Sequence, residues 1–234
     1  LASASASEIY SAAIQDYERG IVIGSTTTGK GTAQVQLDSL AYGQATLTQR
    51  KFYRVTGGST QNKGVVPDIK LVDIYNEEFG ERKSKNALKW DTIPTAPFKR
   101  EGSIQNYVPD LVKSSQQRVS LDPQFKYLEQ RTALAKKAIE QKQVVLDLQK
   151  RKAELLDMEQ KTLDSENARR KSMGLKPYAN WESYQASLDA LVETRAKMKA
   201  NQRPALPEDE AFVSEAASVL LDYAKLQGKA KTAP

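Results

Sequence analysis

The chain has 234 residues, 39% of them hydrophobic, with a formal net charge of +6 and neither histidine nor cysteine. The two absences exclude a Ser-His-Asp triad, a cysteine nucleophile and a His/Cys zinc site from this sequence, leaving serine activated by lysine as the main route to nucleophilic catalysis. Residues 1–75 hold 7 basic and 6 acidic side chains and the rest hold 28 and 23, so the charges are interleaved as on solvated faces and argue against a nucleic-acid partner; no apolar run approaches the roughly 18–20 residues of a membrane span.

Taken in order, the chain first predicts a helix. Ile9, Ala12, Ala13, Asp16 and Tyr17 fall on helical spacing, with Ser5 or Ser7 as N-cap, Glu8 in the first turn and Gly20 as the stop. Gly20-Ile21-Val22-Ile23-Gly24 reads as a short buried strand, and Ala33, Val35 and Leu37 alternate with polar residues as a half-buried one. Further strands are predicted at Ala45–Gln49 and Lys51–Val55, before the loop Gly57–Thr60 and the turn Val66-Pro67-Asp68.

Eight of the 12 glycines lie in residues 1–75, and the composition then shifts to Lys, Glu, Gln, Leu and Ala. The predicted organisation is therefore 1–75, a connector over 76–121 marked by Pro94, Pro97 and Pro109, and a helical part over 122–234. In that part, Phe125, Leu128, Thr132, Ala135 and Ile139 define one helix. Val145, Leu148, Leu155 and Met158 define a second after a break near Gln143. A last helix opens at Pro207 with Glu208, Asp209 and Glu210 at its positive end, lines one face with Phe212, Ala216, Val219, Tyr223 and Leu226, and is closed by Gly228.

Two motifs bear on chemistry. Gly24-Ser25-Thr26-Thr27-Thr28-Gly29-Lys30 has the glycine and lysine spacing of a phosphate-binding loop. However, position 31 is Gly where Mg²⁺ binding needs Ser or Thr, and Thr32–Leu37 alternates as a strand instead of opening a helix. The run Ser3-Ala4-Ser5-Ala6-Ser7-Glu8 alone reads as a small-residue helix entry, and Lys30 alone as a solvated loop lysine. Together they supply a hydroxyl and an amine, and lysine can serve as base where burial favours the neutral amine.

Ser3-Ala4-Ser5-Ala6-Ser7-Glu8-Ile9 with Gln15-Asp16-Tyr17, then Thr28-Gly29-Lys30-Gly31-Thr32-Ala33-Gln34, resembles the catalytic core of the C-terminal processing peptidases, within them the bacterial tail-specific proteases. Lys51-Phe52-Tyr53-Arg54-Val55-Thr56-Gly57-Gly58-Ser59-Thr60-Gln61 and Lys63-Gly64-Val65-Val66-Pro67-Asp68 continue the likeness. Asn86-Ala87-Leu88-Lys89-Trp90-Asp91-Thr92-Ile93 and the helical remainder resemble the C-terminal helical domain of the tail-specific branch.

The resemblance implies an α+β chain, the C-terminal part of a crotonase-like β-spiral protease core followed by a mostly α-helical domain. It implies a serine endopeptidase with Ser5 as nucleophile, Lys30 as base, Gln34 orienting the lysine amine and the Ala6 amide as one oxyanion donor. Asp16 matches an acidic position counted with the site, read here as structural support, since a carboxylate beside Lys30 would raise the lysine pKa. Ser3 and Ser7 are assigned to local hydrogen bonds. No metal or organic cofactor is implied. The implied partners are protein substrates with apolar, unstructured C-termini, a lipoprotein adaptor, and the N-terminal portion of the same enzyme, which in the family carries a PDZ-like module and a glycine turn; the implied setting is the bacterial periplasm. Because Leu1 opens directly onto the serine motif, the expectation is a fragment of a longer enzyme, and a poor protease in isolation. The alternatives are a non-catalytic helical scaffold or adaptor-docking module, and a nucleotide-binding loop.

Overall fold

The computed structural model describes residues 3–37, 40–73, 80–199 and 202–232. The chain is an α+β protein that divides into two compact units, one from residues 1–115 and 219–234, the other from 116–218.

In the first unit, helix α1 spans Ala6–Asp16 with Ser5 as N-cap. It ends before Gly20, because Tyr17 forms the C-cap and Glu18 turns to φ 54°. The predicted strand 20–24 shrinks to β1, Ile23–Gly24, which pairs in parallel with β4, Ile69–Lys70. Asp68 accounts for the shortening. Its carboxylate accepts the Val22 N–H (2.8 Å) and its own N–H donates to the Val22 carbonyl (2.8 Å), so a turn residue takes the place of a ladder partner. Strand β2, Thr32–Leu37, pairs antiparallel with β3, Ala45–Lys51, with an irregularity between Ala33 and Gln34. The two strands predicted at 45–49 and 51–55 are thus one, followed by a single bridge from Tyr53 to Ser59.

The predicted connector carries a helix, α2, over Val108–Leu121. Pro109 sits in its first turn, where a missing N–H costs nothing, so it opens a helix instead of marking a linker. Leu111 of α2, Ile69 of β4 and Val219 close a buried apolar cluster, flanked by Ile21, Ile23, Tyr107, Val112, Tyr223 and Leu226.

The second unit holds α3 (Pro123–Glu140), α4 (Leu148–Ser172) and α5 (Trp181–Lys197), with the start of α6, which runs over Pro207–Thr232. Capping fixes three starts: Asp122 accepts the Gln124 N–H, Asp147 that of Lys150, and Asn180 that of Ser183. The interruption predicted near Gln143 falls between α3 and α4. Gly228 does not close the last helix, which continues through it to Thr232; a single glycine costs a helix only about 1 kcal/mol. Phe125, Leu128, Leu163 and Ala211 are buried, Phe125 stacks on Phe212 at 6.0 Å, and Arg118 pairs with Glu215 at 2.7 Å.

Candidate active site

Ser5 stands at the N-terminus of α1 with φ 58° and ψ −115°. A residue with a side chain avoids this region, at a cost of about 1–3 kcal/mol, and keeps it only where its surroundings hold it there. The hold is a reciprocal bond with Glu8: the Ser5 N–H donates to Glu8 Oε2 (2.8 Å) and the Glu8 N–H to the Ser5 carbonyl (2.9 Å). A serine on a sharp turn at a helix N-terminus presents its hydroxyl beside amides that have no acceptor within the helix and beside the positive end of the helix dipole. Ala6, the first helical residue, is exposed.

Glu8 is 0% exposed, and its carboxylate is the hub of the arrangement. Oε1 accepts the Thr27 hydroxyl and the Gly29 N–H (2.7 Å); Oε2 accepts the Ser5 N–H and the Lys30 N–H (2.9 Å). Four uncharged donors compensate a charge that would otherwise be prohibitive to bury. A single oxygen, Oε2, therefore ties the backbone of Ser5 to that of Lys30. A second tie runs from the Thr28 N–H to the Ser3 carbonyl (2.9 Å).

The flanking glycines let the lysine loop lie flat on residues 61–62. Gly29 has φ 86°, and a Cβ there would come within 2.9 Å of the Asn62 carbonyl carbon. At Gly31 it would come within 2.5 Å of the Gln61 nitrogen. Strand β2 begins at Thr32, so the loop opens a strand and lacks the helix that a phosphate-binding loop must lead into.

The structure brings Ser5 and Lys30 together through Glu8; among the described residues no hydrogen bond joins the Ser5 hydroxyl to the half-buried Lys30 side chain. Gln34 is exposed on β2 and donates its carboxamide N–H to Thr48 Oγ1 across the hairpin (3.4 Å), not to the lysine. Asp16 is buried against Arg54, whose Nη2 donates to Oδ1 (2.6 Å) and whose Nε lies within reach of both carboxylate oxygens. It locks the end of α1 to the segment after β3. Ser7 Oγ donates to the Ala4 carbonyl (2.9 Å). The residue that sequence reasoning missed is Glu8, placed in the first turn of the helix but given no part in the site. Its signal was the Ser5-x-x-Glu8 spacing of a capping box. Among the described residues no group of three or more His, Cys, Asp or Glu is placed to hold a metal, and no helix is long and apolar enough to cross a membrane.

A serine in a strained backbone conformation at a helix N-terminus is thus tied through a buried carboxylate to the backbone of a glycine-flanked lysine. The profile described as Peptidase family S41 matches residues 2–71, and that described as C-terminal domain of tail specific protease (DUF3340) matches residues 74–225. The chain belongs to the tail-specific proteases of that peptidase family. It is 41% identical over 187 residues to a tail-specific protease of Haemophilus influenzae, an alignment covering 74% of this chain and 27% of the relative. Over 77 residues it is 42% identical to a carboxy-terminal-processing protease of Bartonella bacilliformis, covering 33% of this chain and 18% of that one. The chain thus spans about a quarter of the length of the Haemophilus relative.

Proposed function

We propose that this chain carries the nucleophile and base of a serine endopeptidase that works through a Ser5/Lys30 dyad, within a crotonase-like protease core. The observation that carries the reading is the one Glu8 oxygen that receives both the Ser5 and the Lys30 amides. In the reaction the neutral Lys30 amine takes the Ser5 hydroxyl proton while Ser5 Oγ attacks the scissile carbonyl carbon. The Ala6 N–H supports the developing oxyanion. Collapse of the tetrahedral intermediate expels the amine of the leaving peptide, protonated by the Lys30 ammonium, and leaves an ester on Ser5. Water, activated by the same amine, then hydrolyses the acyl-enzyme. Asp16 positions Arg54 and the end of α1, outside the proton path. The substrates are proteins with apolar, unstructured C-terminal tails, the setting is the bacterial periplasm, and a lipoprotein adaptor is a partner for the helical part.

The test uses the full-length enzyme that contains this segment and an unfolded protein ending in apolar residues. Ser5→Ala and Lys30→Ala should each lower turnover by on the order of a thousandfold or more while thermal unfolding stays near that of the parent. Lys30→Arg should fail as well, because a guanidinium is never neutral near pH 7. Retained turnover in any of the three refutes the dyad.

A further inference from the structure

The lysine loop is held from a second side by residues to which no role in catalysis has been given. Gln61 is fully buried, and its Oε1 accepts the Gly31 N–H (2.8 Å). The Asn62 N–H donates to the Gly29 carbonyl (2.8 Å). Lys30 is therefore flanked by two amides, Gly29 and Gly31, that end on two different buried side chains, Glu8 and Gln61.

Glu81 and the Gly31 N–H together decide how Gln61 faces the loop. The two ends of a carboxamide are nearly the same size, and only their partners fix which is oxygen and which is nitrogen. Gln61 Nε2 donates to Glu81 Oε1 (3.3 Å), and an ionised carboxylate can only accept. The NH2 end is thereby drawn to Glu81 and the oxygen to Gly31. A flipped Gln61 would set its NH2 against the Gly31 N–H, donor against donor. Glu81 also touches the loop directly, since its own N–H donates to the Thr28 carbonyl (2.9 Å).

Glu81 lies in the segment matched by the C-terminal domain profile, beyond the peptidase match that ends at residue 71. We infer that Gln61 and Glu81 are positioning residues for Lys30, so that a residue beyond the peptidase match, within the same compact unit, supplies part of the lysine setting. This rests on the Ser5/Lys30 reading above. The role is indirect: neither residue touches a reacting atom, and both act through the amides that fix where the lysine backbone sits. Small displacements of a base from its nucleophile lower the rate steeply, because productive geometry spans a narrow range of distance.

The test exchanges the two groups in the full-length enzyme. In Gln61→Glu the two carboxylates face each other; in Glu81→Gln an acceptor-only group becomes one that can turn either its oxygen or its NH2 toward Gln61, so the contact is weakened and no longer one-way. Combined, Glu at 61 offers one oxygen to the Gly31 N–H and the other to the NH2 of Gln at 81, so the contacts return with their ends exchanged. Each single variant should lower kcat about tenfold with KM unchanged, and the double variant should return to within about threefold of the parent. Thermal unfolding, followed alongside, separates this loss from global destabilisation. Singles with parental kcat, or a folded double variant no better than the worse single, overturn the inference. If Gln61→Glu does not fold, Glu81→Ala takes its place, and parental kcat there is equally fatal. Turnover by Lys30→Ala would instead refute the underlying dyad, so the two failures are distinguishable.

Discussion

Glu8 satisfies four donors with one carboxylate, and that count makes its replacement predictable. Glu8→Gln keeps the shape but presents an NH2 to N–H and O–H donors it cannot accept. Leaving buried donors unpaired costs about 1–3 kcal/mol each, more around a charge, so Glu8→Gln should lose on the order of 2–4 kcal/mol of stability by chemical denaturation. The loss should come with release of the lysine loop, seen as faster amide exchange at Gly29 and Lys30. Unchanged exchange there would mean the loop is held mainly by Gln61 and Asn62. Ser5 and Lys30 stand out in the sequence because their neighbours form a motif. Glu8 was visible only as a helix cap, since nothing local shows that its two oxygens reach residues 27–30. Gln34 and Asp16 were named from the resemblance; the structure directs one to Thr48 and the other to Arg54, partners that lie across a hairpin and beyond β3 and that no periodicity reveals.

The helices α3, α4 and α6 were legible from apolar spacing, and α6 also from Pro207 and the acidic residues of its first turn. Helix α2 was not, because Pro109 has the same letter in a linker and in a first turn. Helix α5 has a capping box at Asn180 and Ser183, but of its residues only Tyr184 is buried, so its apolar stripe is faint. Strand β1 is shorter than its apolar run because Asp68, far along the chain, takes up the Val22 backbone.

One property of the helical unit is testable by pH. Burial is the main cause pushing the Tyr127 phenol well above the ordinary tyrosine range; Arg131 opposes the shift, while Glu166 and Tyr184 add to it. Burial likewise pushes Tyr184 upward. Burial disfavours the charged phenolate, so the folded values exceed the unfolded ones. The stability they contribute is fully present below the unfolded value of about 10 and is lost as pH rises through the folded values. At a pH of about 11 the tyrosinate absorbance of the native chain should fall short of that of the denatured chain, with Tyr127 and Tyr184 contributing to the deficit. Tyr127→Phe should narrow the gap. Coincident native and denatured titrations would show that the unit has already opened.

At the scale of the whole molecule, the unit that carries Ser5 and Lys30 is assembled from both ends of the chain. Its apolar cluster joins Ile69 of β4, Leu111 of α2 and Val219 of α6, and the parallel pairing of β1 with β4 lies against it through Ile23. The last turns of a helix far along the sequence therefore help to hold the strands that come after α1. Val219, 2% exposed, and Leu220, 66% exposed, are adjacent on α6 and separate this effect from any local effect on the helix. Val219→Asp buries a carboxylate against the apolar side chains of Ile69 and Leu111, a change that costs several kcal/mol. Leu220→Asp places the same charge in solvent. For a chain of this size, Val219→Asp should lower the melting temperature by on the order of 10 °C and Leu220→Asp by no more than about 2 °C. Amide exchange should quicken at Ile23 and Ile69 in the first variant alone. If the proposed chemistry depends on this packing, peptidase activity of the full-length enzyme should fall at lower temperature in Val219→Asp than in the parent. Equal melting temperatures for the two variants would mean that the first unit holds its strands without α6.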